Sequence, residues 1–203
     1  MKRITSLVFF TLIFGVSLYS DVFTFRADRM TGGKASGKEV MILLGAAEVQ
    51  SDNLILMAER IEIMGEDNQF VECTGNVWGR DDEEGVIFQT DKLRYDRKLK
   101  IARLEGDSTM EDKKNEVVAK GRFIEYNDET GIAIIQISVR LFKDKMVCRS
   151  EYALYRRHEK TLDLSGFPVV YKSGDEFRAE RMQVDLDTED VIMEGGVSGS
   201  IKE

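Results

Sequence analysis

Five acidic residues occupy one position of a recurring small–acidic–x–apolar signature: Asp28, Glu59, Asp91, Glu151 and Glu180. Carboxylates act as general acid and base, or hold a metal, only when two or three converge in one pocket. Here they are dealt out singly along the chain. That spacing predicts outward charges that pair with a neighbouring Arg or Lys, or bond backbone at a bend. His158 is the only histidine and lies in the charged stretch Arg156-Arg157-His158-Glu159-Lys160, which supports neither a metal site nor a nucleophilic triad. No phosphate-cradling loop, zinc spacing or nucleophile elbow occurs. The sequence therefore predicts no enzyme, no metal and no cofactor, and leaves apolar contact as the chemistry to explain.

The apolar residues are organised by a repeat. A glycine recurs at Gly45, Gly75, Gly106, Gly166 and Gly195, with Gln136 standing where the remaining member falls, so that successive slots lie 29 to 31 residues apart. A period held over six units implies one supersecondary piece per unit, stacked on its neighbours. Four residues before the slot stand Met41, Val71, Ala102, Ile132, Leu162 and Val191; two before it stand Leu43, Cys73, Leu104, Ile134, Leu164 and Met193. All twelve are apolar with polar residues mostly between them, the period-two pattern of a strand with one buried face.

The other strand of each unit carries the acidic signature, as in Ala58-Glu59-Arg60-Ile61 and Ala179-Glu180-Arg181-Met182. Two before the small residue stand Phe25, Leu56, Phe88, Ala119, Cys148 and Phe177. Three after it stand Met30, Ile61, Leu93, Ile124, Ala153 and Met182, with Ile63, Tyr95, Tyr126, Tyr155 and Val184 two further on. A step of three reverses parity, which a strand achieves by a bulge or corner where it passes from one sheet to another. The glycine is a second corner. The expected fold is all-β: six repeats giving about 12 bent antiparallel strands in two facing sheets, folded like a V around an apolar strip. Cys73 and Cys148 lie about two and a half repeats apart, too far for a disulfide, so two buried free thiols are expected.

Met1-Lys2-Arg3 followed by an apolar run from Ile4 to Tyr19 has the form of a secretory signal, with cleavage after Ser20 expected and an uncleaved anchor as the alternative. The expected organisation is residues 1–20 as signal and 21–203 as one β domain. Taking Lys2 and Arg3 from 29 basic residues against 37 acidic leaves a net charge near −10. That sign weighs against nucleic acid and against electrostatic docking on anionic membranes, and suits a soluble, exported protein.

The pairing of Ala58-Glu59-Arg60-Ile61 with Gly75-Asn76-Val77, and of Ala179-Glu180-Arg181-Met182 with Gly195-Gly196-Val197, resembles the OstA-like family of lipopolysaccharide-export proteins. The resemblance spans about residues 23 to 201, with Arg122 and Gln136 departing from the pattern. It implies a β-jellyroll, or β-taco, whose inner faces hold lipid acyl chains, lipopolysaccharide or a similar lipid. It further implies head-to-tail pairing with copies of itself and with other Lpt-type components between inner and outer membrane. The groove candidates are Phe25, Met41, Leu43, Leu56, Ile61, Ile63, Val71, Phe88, Leu93, Leu104, Ile124, Ile134, Leu162, Leu164, Phe177, Met182, Val191 and Met193. The edge candidates are Val22, Phe23, Phe25, Val197, Ser198 and Ile201. Two alternatives stay open: a membrane-anchored relative that keeps residues 4–19, and a structural β-repeat scaffold with a filled core.

Overall fold

The computed structural model describes residues 24–35, 38–51 and 53–202; the expected signal segment, Val22 and Phe23 lie outside them. The elements begin with β1 (Thr24–Arg26), β2 (Arg29–Ala35), β3 (Lys38–Gln50), β4 (Leu54–Met64), β5 (Phe70–Asp81) and β6 (Val86–Asp96). Next come β7 (Ile101–Asp112), β8 (Val117–Asn127), β9 (Ile132–Lys143) and β10 (Met146–Arg156). The last are β11 (Thr161–Ser165), β12 (Val169–Lys172), β13 (Asp175–Arg178), β14 (Arg181–Asp185), β15 (Val191–Glu194) and β16 (Ser198–Ser200). β3 to β10 are continuous bent strands. β1/β2, β11/β12, β13/β14 and β15/β16 are strands interrupted at the bend, so the twelve-strand expectation holds with four of them split.

All pairings are antiparallel and belong to a single sheet running from β1 to β15, so the two expected facing sheets are the two halves of one open, curled sheet. The bends create them. On β5, Gly75 and Asn76 sit at φ 80° and 47° opposite the single residue Asp91 of β6, and the register shifts there. Comparable shifts occur in every pairing from β3–β4 to β10–β9. The first wall is built from residues such as 54–58, 86–90 and 117–121; the second from residues such as 61–64, 93–96 and 123–127. The parity reversal is as expected: Leu56 and Ala58 point inward before the bend, Ile61 and Ile63 after it, and all four are buried. The walls meet over one continuous core, where Phe88 of the first wall packs on Tyr126 of the second with ring centroids 5.8 Å apart.

Glycine at the slot leaves room for the corner acid. A Cβ on Gly75 would lie 2.5 Å from Glu59 Oε2, and one on Gly195 2.6 Å from Glu180 Oε2. The Asp107 N–H donates to Asp91 Oδ2 at 2.9 Å, the expected backbone bond at the bend, whereas Glu59 Oε1 accepts from a side chain, Asn76 Nδ2, at 2.6 Å. The fourth unit corrects the sequence reading. Its slot is filled by Ile137, at φ 65°, not by Gln136, and the inward residues before it are Ala133 and Ile135 rather than Ile132 and Ile134. The corner residue facing this bulge on β8 is Arg122, which turns away to pair with Asp107. With no acid packed over the slot, a side chain fits there.

The accommodation leaves a β-branched residue in the left-handed region, at a cost of roughly 1–2 kcal/mol. Ile137 is 53% exposed and contributes little burial in return. Ile137→Gly is therefore expected to raise the free energy of unfolding by about 0.5–1 kcal/mol, read as a higher urea midpoint, after glycine's greater unfolded-state freedom is deducted. An unchanged or lowered midpoint would contradict the strain.

Candidate functional site

The inner faces of the two walls form the candidate site. Leu43, Leu56, Ile61, Ile63, Val71, Phe88, Leu93, Leu104, Ile124, Leu162, Leu164 and Met182 are buried there. Met41, Phe177, Val191 and Met193 are half-buried on the same face nearer the ends of the stack, and Phe25 is 44% exposed at the N-terminal end. Ile134 is misplaced by the one-residue error above: it lies on the outer face opposite Leu154, and Ile135 takes its inward position. Cys73 and Cys148 are free and buried on opposite walls, and burial pushes both thiols up to about 12, which leaves them unreactive.

The interior is closed. Between the walls lie a space of ≈ 30 Å³ beside Val49, Ile63 and Val71, and one of ≈ 20 Å³ beside Phe88, Leu93 and Tyr126. Each has room for about one or two waters and not for an acyl chain. Side chains of one wall pack on those of the other, so an acyl chain could enter only if the walls part.

A polar network opposes that parting. The hairpin turns at 82–85 and 113–116 form the rim of the first wall, those at 128–131 and 157–160 the rim of the second, and together they are the mouth of the trough. Arg157, 3% exposed on the second rim, reaches across to Asp112, 1% exposed at the end of β7 in the first wall. Its Nε donates to Asp112 Oδ2 at 2.7 Å and its Nη2 to Asp112 Oδ1 at 3.2 Å. Nη1 donates to Glu84 Oε2 at 3.0 Å and to the Tyr126 hydroxyl at 2.6 Å, while Nη2 also donates to the Glu84 carbonyl at 2.8 Å. The Tyr155 hydroxyl and Asn115 Nδ2 each donate to Asp112 Oδ2 at 2.8 Å. Burial alone would raise the Asp112 carboxyl. The hydrogen bonds from Arg157, Asn115 and Tyr155, with the Arg157 charge, outweigh it and hold the carboxyl below its ordinary range. A second crossing lies nearer the C-terminal end, where Lys172 Nζ donates to the Glu189 carbonyl at 2.8 Å and lies 3.2 Å from Glu189 Oε2.

The latch is not visible as a unit in the sequence, since Arg157 lies 31, 45 and 73 residues from Tyr126, Asp112 and Glu84. One local signal exists: Asp112 continues the inward row Ser108-x-Met110-x-Asp112, an acid at a position that points to the core.

At both ends the apolar face runs past its cover. Met30 pairs with Leu43 on the inner face yet is 51% exposed. At the other end Val197, the counterpart of the buried Val77, is 55% exposed, and Ile201 is 75% exposed. Ser198 lies on β16, which pairs with β13 on one side and presents its other edge unpaired among the described residues. The corner acids stand apart from one another and exposed, as does His158. Among the described residues no group of three His, Cys, Asp or Glu could hold a metal ion, and no helix is long and apolar enough to cross a membrane.

The family model described as OstA-like protein matches residues 19–164. No curated protein matches the chain. Among solved structures, the chain is similar to LptH of Pseudomonas aeruginosa, described as the LptA-homologous periplasmic component of a lipopolysaccharide transport device. The identity is 11% over 91% of this chain and 97% of that one, with a TM-score of 0.29.

Proposed function

The chain belongs to the OstA-like family, and from that premise we propose that it is a periplasmic lipid carrier. It receives the acyl chains of lipopolysaccharide or a similar lipid between its walls and passes them between the inner and outer membranes, without catalysing a reaction. The observation that carries this reading is the apolar inner face, buried at mid-length and continuing exposed to Met30 at one end and Val197 and Ile201 at the other. Copies stacked end to end would join these faces into one track. Among the described residues the outer edges of β2 and β15 are unpaired, which suits strand addition, a head-to-tail contact that repeats. Such a stack would dock with the other export components in the same way.

Burying an acyl chain of a dozen carbons is worth about 10 kcal/mol at ~0.8 kcal/mol per methylene. A gain of that size opposes the cost of parting the packed walls. It also means that release must be driven by partners.

The closed interior favours a second reading, a structural β-repeat scaffold whose core is complete. An acyl chain bearing an environment-sensitive fluorophore separates the two. The carrier is expected to shift the emission to the blue saturably, near one probe per chain, with reversal by lipopolysaccharide or phospholipid. A probe that keeps its aqueous emission at all protein concentrations supports the scaffold.

A further inference from the structure

The outer faces of the two walls differ in a way that the trough does not explain. On the middle strands of the second wall, β5 to β8, outward charges pair with one another: Lys92 and Arg94 with Glu72 at 2.7 and 3.0 Å, and Arg103 with Glu125 at 2.6 Å. On the first wall three cations stand in a cross-strand row. Lys120 of β8 is opposite Arg140 of β9, which is opposite Arg149 of β10. All three are exposed, and among the described residues no carboxylate lies within ion-pair distance of any of them. Like charges directly opposed on a sheet are unfavourable. Their company is aromatic: Lys120 Nζ lies 6.0 Å from the Phe142 ring and the Arg149 guanidinium 5.4 Å from the Tyr171 ring. Beside the basic row runs an outward apolar one, Val118, Phe142, Val147 and Tyr171, again directly opposed across β8, β9, β10 and β12.

We propose that this outer face docks on an anionic phospholipid surface, with Lys120, Arg140 and Arg149 at the lipid phosphates and Phe142 and Tyr171 at the headgroup boundary. A cationic row beside an aromatic and aliphatic row, on one face of a sheet, is complementary to the negative headgroup plane and the apolar layer beneath it. The protein's net negative charge does not forbid it. At physiological salt, interactions are screened over about 8 Å, so the nearest charges decide: Glu111 and Glu176, which stand opposite Val118 and Tyr171 at the two ends of the apolar row, are paired with Lys113 and Arg178, and the acids of the opposite wall are remote. The proposal departs from the sequence expectation that net charge disfavours anionic membranes, which averages over faces the fold keeps apart. The inference stands independently of lipid carriage, because the face lies outside the trough.

The test is sedimentation of the full chain with vesicles of equal phosphatidylglycerol and phosphatidylcholine, against vesicles of phosphatidylcholine alone. Stronger binding to the anionic vesicles, weakening between 0.1 and 0.5 M salt on the order of the Debye screening, is expected. Each cation near such a surface is worth about fivefold in affinity. The K120Q/R140Q/R149Q variant should therefore bind roughly 100-fold more weakly, while K98Q/K100Q/R181Q, which removes three exposed cations from the second wall, should bind much as the wild type does. The ladder variant's thermal midpoint should equal or exceed that of the wild type, since it relieves repulsion. Should the triple variant unfold, Arg140→Gln alone should still show the fivefold loss. Equal binding to both vesicle types, or an equal loss in the second-wall variant, overturns the proposal. Anionic binding that survives K120Q/R140Q/R149Q also overturns it, because the attachment would then lie elsewhere.

Discussion

Replacing Arg157 with alanine is expected to lower the free energy of unfolding by about 3–5 kcal/mol, the range for removing one partner of a buried ion pair. The size follows from what is left behind. Asp112 is 1% exposed and would keep only the Tyr155 hydroxyl and Asn115 as side-chain donors, with its charge uncompensated in the interior. The Glu84 and Tyr126 contacts would vanish with the same side chain. Removing both charges by Arg157→Met with Asp112→Leu should restore most of the loss, because an apolar pair of similar volume avoids the desolvation penalty. Urea unfolding of the three variants measures this. A loss below about 1 kcal/mol for Arg157→Ala would place the pair in the surface class and contradict its role as a latch.

The pH dependence has a defined sign. Asp112 in the folded wild type titrates below its ordinary value, so its contribution is fully present above the unfolded carboxyl range near ~4 and is lost as pH falls through the folded value. In Arg157→Ala the same carboxyl, buried without its cation, titrates above that range, and its penalty is relieved as pH falls. The stability gap between the two proteins should therefore narrow in acid.

Under the proposed head-to-tail stacking, charging either apolar end is expected to weaken self-association by at least two orders of magnitude. Met30→Lys alters the N-terminal end and Val197→Lys the C-terminal end, each at a residue more than half exposed in the single copy. Burying such a side chain contributes about 1.5–3 kcal/mol, and a lysine replaces that gain with a cost. The head-to-tail geometry makes a sharper prediction. Each variant alone has lost one half of a heterologous contact and should sediment as a monomer. Mixed, they retain one complementary pair of ends and should form a 1:1 dimer that grows no further. A self-complementary contact would leave at least one of the variants dimeric alone, and continued growth of the mixture would show that the ends are not the contact.

Much of this architecture was legible because the repeat is written in residue types with direct conformational meaning. The small–acidic–x–apolar step announced the parity reversal at Ala58 and Ile61, and glycine marked the opposite bulge. The fourth unit was misread for the converse reason. Ile137 occupies a left-handed position that its side chain does not advertise, and its partner change, acid to Arg122, reads as mere divergence until the two are seen across β8 and β9. Counting back to Gln136 then turned Ile134 inward, since a one-residue slip exchanges the faces of a strand. The Arg157 latch joins distant turns and has no period. Closure of the interior is equally absent from the pattern, because columns that line a groove and columns that fill a core share the same alternation.

Lipid carriage is the central claim, and photo-crosslinking tests it most directly. A photoreactive residue at Leu104 or Ile124 on the inner face would be compared with one at Arg103 or Glu125, the outward neighbours that pair with each other at 2.6 Å. Adducts of acyl-chain mass are expected from the inner pair only, increased when the latch is weakened by Arg157→Met. No adduct at either inner position, or equal capture inside and outside, would contradict it.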